Sequence, residues 1–105
     1  MRPIDFNGLD TTVHGHVRLG VLTVLQTDGG LDFTTLKKRL NVVDGVLGLH
    51  VRKLEGKGYI VSKRNLVGRR PRTTYRITRL GRTALLEYLA AMQTLIDAVE
   101  TPRRR

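Results

Sequence analysis

Two short runs constrain this chain most. Tyr59-Ile60-Val61-Ser62-Lys63-Arg64 and Thr73-Thr74-Tyr75-Arg76-Ile77-Thr78 are rich in β-branched and aromatic residues, which suit extended backbone. The eight residues between them include Gly68, Pro71 and three arginines, so the pair predicts a β-hairpin with a long basic tip. On either side, apolar residues recur at three and four, the period of a helix buried along one face. Val13, Val17, Val21 and Val24/Leu25 predict a first helix from Thr12, capped by Thr11 or Thr12 and ended before Asp28-Gly29-Gly30. Leu36 and Leu40 predict a short second helix over Thr35 to Leu40 with Thr34 as cap, preceded by Leu31-Asp32-Phe33, which is long enough to pair with one strand only. Leu47, Val51 and Leu54 predict a third, opened by Asp44 and stopped by Gly56 and Gly58. The last and longest carries Leu85, Tyr88/Leu89, Met92, Leu95/Ile96 and Val99 up to Pro102.

One hairpin among four helices makes the fold class α+β, mainly helical. A chain of 105 residues holds one such domain, with no room for a second catalytic one. Its charge narrows the function. Between Lys37 and Arg82 fourteen basic residues face only Asp44 and Glu55, a local +12 that exceeds the +10 of the whole chain. The cations therefore gather on the second and third helices and the hairpin, elements that fit adjacent grooves of a nucleic acid.

Several chemistries are excluded. The absence of cysteine rules out disulfides, thiolate metal sites and cysteine nucleophiles. No apolar run reaches the ~18 residues of a membrane span, so a soluble, cytoplasmic protein is expected. His14 and His16 stand two apart and point to different sides of a helix, which spoils them as a metal pair and leaves packing or dimer-face hydrogen bonding. Ser62, the only serine, has no histidine or carboxylate near it in sequence, and Gly56-Lys57-Gly58 lacks the spacing of a phosphate-binding loop. Neither an enzyme nor a cofactor is expected.

Four stretches in order resemble winged-helix transcriptional regulators of the MarR/ArsR-like class. Val17-Arg18-Leu19-Gly20-Val21-Leu22-Thr23-Val24-Leu25 is similar to the first-helix pattern R-L-x-I-L-x-x-L, and Phe33 to Leu40 to F-x-x-L-x-x-x-L. Asp44 to Ile60 is similar to D-G-N-L-S-x-H-L-x-K-L-E-x-x-G-Y-I, the most specific stretch. Gly68 to Arg82 resembles the wing and the L-T-x-x-G-R entry to the next helix. Val46 and Gly48 depart from the pattern where Asn and Ser are usual, so two hydrogen-bonding side chains are missing near the groove. Val46 offers a contact to thymine methyls instead, and Gly48 a closer approach to the backbone.

The resemblance implies a winged helix-turn-helix with a three-helix core, a two-to-three-stranded wing and a C-terminal dimerisation helix. An N-terminal arm is expected over 1–11, the DNA-binding domain over 12–79, the dimerisation helix over 80–101 and a basic tail over 102–105. It also implies sequence-specific binding of double-stranded DNA by a homodimer, more naturally a repressor because bound protein occludes a promoter. The runner-up is a module for RNA or for ribosome or nucleoid assembly. The implied recognition set is Asp44, Val46, Gly48, Leu49, His50, Arg52 and Lys53. Arg64, Arg69, Arg70 and Arg72 belong to the wing, with a tip arginine suited to a narrow minor groove. Thr34, Thr35, Lys37, Lys38 and Lys63 are expected on phosphates, which fix position without reading sequence. Ile4, Phe6, Leu9, Leu85, Tyr88, Leu89, Met92, Leu95, Ile96 and Val99 are expected at the dimer interface. Related regulators often take a small-molecule effector between the dimerisation helices and the DNA-binding lobe, and such a partner is left open here.

Overall fold

Seven elements follow the order α1 (His16–Asp28), β1 (Leu31–Asp32), α2 (Phe33–Leu40), α3 (Asp44–Gly56), β2 (Ile60–Val67), β3 (Arg70–Ile77) and α4 (Arg79–Glu100). The computed structural model describes residues 8–101. The roles expected of Ile4, Phe6 and the basic tail lie outside these residues. The mainly helical α+β class expected from the sequence is the one observed.

Helical spacing decides the core. Val17, Val21, Leu22, Val24 and Leu25 of α1 meet Leu36 of α2, Leu47, Val51 and Leu54 of α3, Ile60 of β2, and Ala84, Leu85 and Tyr88 of α4. A fully buried aliphatic side chain contributes roughly 1.5–3 kcal/mol, so these contacts supply most of the driving force. Among the described residues no polar or charged residue is buried with them.

The first helix starts later than its spacing predicts. Asp10 Oδ1 accepts the N–H of Thr12 at 2.7 Å and of Val13 at 3.4 Å, and the Asp10 carbonyl accepts from His14 N–H at 2.8 Å. These bonds compete with a helical ladder and fold the segment into a turn that still buries Val13. The N-cap is Gly15, at φ 122°, and neither Thr11 nor Thr12 caps the helix. The second helix starts earlier than predicted, because Asp32 rather than Thr34 caps it by accepting Thr35 N–H at 2.8 Å.

The hairpin is longer and its loop shorter than the sequence suggested. Ile60 pairs with Ile77 and the ladder continues to Val67 opposite Arg70, which leaves Gly68-Arg69 as the connection. Only Gly68 of these two has a positive φ, 66°, as the first position of a II′ hairpin turn requires. Pro71 is tolerated within β3 because β1 pairs only with Tyr75 and Thr74, so the other edge of β3 is open at Pro71. The sheet order is β1-β3-β2.

Thr78 locks α4 to the end of the hairpin. Its hydroxyl accepts Gly81 N–H at 2.9 Å and donates to the Gly58 carbonyl at 2.6 Å, and its own N–H donates to the Tyr59 carbonyl at 3.0 Å. Two residues expected at a dimer face lie elsewhere: Leu85 and Tyr88 are each 2% exposed, inside the protomer's own core. The Tyr88 hydroxyl sits 2.8 Å from His14 Nδ1, which gives His14 its packing role. Met92 and Leu9 pack half-buried on the same core. The apolar stripe of α4 then runs on, with Leu89, Ile96 and Val99 exposed and Leu95 half-buried.

Candidate nucleic-acid interface

With Leu47, Val51 and Leu54 turned inward, 3.6 residues per turn place Gly45, Leu49, Arg52 and Gly56 on the opposite side of α3. Val46 and Lys53 lie on one shoulder of that face and Gly48 on the other. Leu49 is 47% and Val46 40% exposed. Arg52 and Lys53 are exposed one turn further on. Asp44 opens the helix with its carboxylate 2.7 Å from Lys37 Nζ, so two residues from the expected recognition and phosphate sets pair with each other across α2 and α3. The pair is exposed, and such a contact exchanges readily for a phosphate.

His50, for which the sequence leaves open a DNA contact or a surface or helix-packing role, is engaged within the protomer. It is half-buried, and Arg18 Nη1 lies 2.9 Å from its Nδ1. A guanidinium has only donors, so Nδ1 accepts and the ring proton sits on Nε2. Burial first, then the charges of Arg18, Lys53 and His16, hold the imidazole below its ordinary 6.5. Rather than projecting freely from α3, His50 ties the helix to α1 and keeps only its Nε2 edge for an outside partner.

The Nε and Nη2 groups of Arg18 donate to the turn before α1, to the carbonyls of Thr12 at 2.7 Å, His14 at 2.9 Å and Thr11 at 3.3 Å. Beside it, Asp10 Oδ2 accepts the Tyr59 hydroxyl proton at 2.5 Å. This bond, burial and the Asp10 charge push the Tyr59 phenol up to about 12. Burial acts to raise the Asp10 carboxyl, but the bonds from Tyr59, Thr12 and Val13 and the charge of Lys57 outweigh it, and the net shift is below 3.8. Arg18 thus ties α3 to the turn before α1 through His50, and Asp10 ties Tyr59, just beyond the end of α3, to the same turn. Sequence spacing gave them no role; the one available signal is Asp10 two residues before Thr12, the pattern of a side chain that folds back on the backbone.

The hairpin stands off the body, since every residue from Val61 through Arg70 is exposed. Arg69 occupies the turn and Arg70 the first position of β3, while Arg64 projects from β2. Arg72 Nε, near the turn end of β3, lies 3.5 Å from Asp32 Oδ2 at the start of α2, where β1 already pairs with β3. An open groove of about 680 Å³ lies there, lined by Phe33, Thr34, Thr35, Arg70, Arg72 and Tyr75. It joins residues expected on phosphates to residues expected in the wing. Lys38 and Lys63 are exposed on α2 and β2. Ser62 does have a carboxylate nearby in space, donating to Glu55 Oε2 at 3.0 Å, but the pair is exposed and includes no base-orienting third group.

Residues 17–96 match a family model described as a winged helix DNA-binding domain. The chain belongs to this family. The winged helix is similar in sequence to protein MJ0432 of Methanocaldococcus jannaschii, 33% identical over 84 residues that cover 80% of this chain and 91% of the relative. In fold it is similar to a transcriptional regulator homologue from Pyrococcus horikoshii OT3, with TM-score 0.79, 28% identity, and 86% and 89% of the two chains covered. It is also similar to a PadR family transcriptional regulator from Eggerthella lenta, with TM-score 0.67, 29% identity and 78% of each chain covered. The family and these neighbours make the winged helix a DNA-binding regulator of transcription, with α2 and α3 as its helix-turn-helix and β2–β3 as its wing. No helix among the described residues is long and apolar enough to cross a membrane.

Proposed function

We propose that this winged helix is a homodimeric, cytoplasmic repressor that binds double-stranded DNA at a specific sequence. The observation that carries the reading is α3 itself. Its inward stripe is buried, its outward face is exposed, and it lies between an α2 whose Thr34 and Thr35 open onto the groove and a wing whose Arg64, Arg69 and Arg70 are exposed. In this reading α3 enters the major groove and Arg69 or Arg70 the flanking minor groove, while Lys38 and Lys63 hold phosphates. Lys37 and Arg72 join them by exchanging their exposed carboxylate partners for phosphate.

Dimerisation rests on α4. Its apolar stripe packs on the protomer's core as far as Met92, and among the described residues it continues through half-buried Leu95 to exposed Ile96 and Val99. A two-fold pairing of these turns buries the stripe and sets two copies of α3 at half-sites one DNA turn apart, about 34–36 Å. Sedimentation of wild type and of Leu89→Glu with Leu95→Glu checks this: a dimer converted to a folded monomer supports it, and a wild-type monomer at micromolar concentration contradicts it.

Competition tests the binding reading. A duplex recovered by selection from a random library is challenged with scrambled duplex and with structured RNA at one stated salt concentration. Preference for the selected duplex is expected; equal or stronger binding of the RNA overturns the reading.

A further inference from the structure

The outward face of α3 carries glycines for which the fold has no use. A Cβ built on Gly45 meets nothing within 4 Å, and one built on Gly48 meets only the tip of the Arg52 side chain at 3.5 Å. Neither residue has a positive φ. Alanine therefore fits at both positions and favours the helix at both. Gly81 shows the contrast within the same molecule, because a Cβ there would stand 2.0 Å from the Tyr59 carbonyl oxygen. Smallness at Gly81 serves the protomer, whereas smallness at Gly45 and Gly48 meets no such need among the described residues.

What that face offers is apolar. Over Asp44 to Leu49 the only hydrogen-bonding side chain is Asp44, and it is paired with Lys37 at 2.7 Å. Val46 and Leu49 stand exposed between the two glycines and the cations Arg52 and Lys53. Those cations select a polyanion rather than an apolar protein surface as the partner. In a major groove the base edges present donors, acceptors and the C5-methyl of thymine, and an aliphatic side chain reads only the methyl.

We propose that α3 reads its half-site through methyl contact and close approach: Gly45 and Gly48 let the helix backbone sit deep in the major groove, and Val46 and Leu49 close on thymine C5-methyl groups there. This rests on the duplex-binding reading above. It makes Val46 and Leu49 the specificity-determining residues, while Arg52 and Lys53 contribute affinity through the backbone.

The test uses the full chain and the selected duplex. Thymines of each half-site are replaced one at a time by deoxyuridine, which removes the methyl and keeps every hydrogen-bonding group. Wild type is expected to lose about four-fold in affinity per contacted methyl, the worth of one buried carbon. Val46→Ala or Leu49→Ala should abolish the penalty at the thymine each one touches, because the coupled partner is gone. Gly45→Ala and Gly48→Ala should melt above wild type yet bind the selected duplex about ten-fold more weakly, the scale of one mismatched base pair. Deoxyuridine tolerated within about two-fold at every position, or undiminished binding by both glycine variants, overturns the proposal while specific binding itself stands. No preference for selected over scrambled duplex overturns it together with the reading on which it rests.

Discussion

Gly81→Ala should cost this winged helix much of its stability. The added Cβ falls 2.0 Å from the Tyr59 carbonyl oxygen, where ordinary contact begins at 3.4 Å, and 2.8 Å and 2.9 Å from the Tyr59 carbonyl carbon and Cα. Tyr59 has no easy retreat. Its carbonyl accepts Thr78 N–H at 3.0 Å, its N–H donates to the Leu54 carbonyl at 3.0 Å, and its hydroxyl is held by Asp10 at 2.5 Å. Overpacking costs about 1–3 kcal/mol, and a clash against fixed backbone belongs at the upper end. The helical preference of alanine over glycine returns at most ~1 kcal/mol. The net loss of about 2 kcal/mol corresponds to a melting point roughly 8–16 °C lower for a domain of this size. Circular dichroism melts of wild type, Gly81→Ala and Gly48→Ala measure it, the last expected to melt above wild type. A Gly81→Ala protein that melts at or above wild type refutes the packing of α4 on the Tyr59 backbone.

Other expectations follow from the turn before α1 and from the wing. Tyr59 stabilises the fold fully below the ordinary tyrosine value of 10.0 and loses that contribution as pH rises through about 12, so Tyr59→Phe should flatten the alkaline limb of a stability-versus-pH curve. Asp10 acts at the other end: its share is complete above 3.8 and disappears as pH falls through the lowered native value, and denaturant unfolding of Asp10→Asn should show a shallower acid limb. His50 should titrate below 6.5 by NMR, with stability falling as pH drops from 6.5 through its native value, and Arg18→Gln should move it upward; a wild-type His50 at or above 6.5 contradicts the Arg18 contact. Arg69→Ala with Arg70→Ala should weaken binding chiefly at A·T-rich flanks. Lys63→Ala should weaken all duplexes alike and reduce the slope of log affinity against log salt by about one per contact and subunit.

Much of the fold was legible because burial follows spacing. Leu47, Val51 and Leu54 announce the inward side of α3, and Thr78 with Gly81 announces the start of α4, where the structure shows a capping bond at 2.9 Å. Helix ends were harder to read, since they depend on single side chains that compete with the ladder. Asp10 delays α1 and Asp32 advances α2, although neither alters the apolar period. The hairpin is longer than its strand-forming residues alone imply, because Asn65 to Arg72 has little strand propensity of its own; pairing across a two-residue turn at Gly68 imposes the extended form. The stripe of α4 could not by itself say where a protomer's core ends and an interface begins. Tyr88 and Leu85 lie on the near side of that boundary because α1 and the His14 turn reach them, whereas Val99, 79% exposed, lies beyond the described residues that form the core. At the site, the exposed residues of α3 were readable from the helical period, whereas the Arg18–His50 tie joins residues 32 positions apart and leaves no local trace.

Amide chemical shifts of the full chain, followed as the selected duplex is added, test the central claim most directly. The account predicts shifts concentrated on the outward face of α3 at Gly45, Val46, Leu49 and Arg52, at Thr34 and Thr35 beside the groove, and at Arg69 and Arg70 of the wing, with the distal turns of α4 unmoved. Shifts centred on α4, or spread over the surface without α3 and the wing, would contradict it.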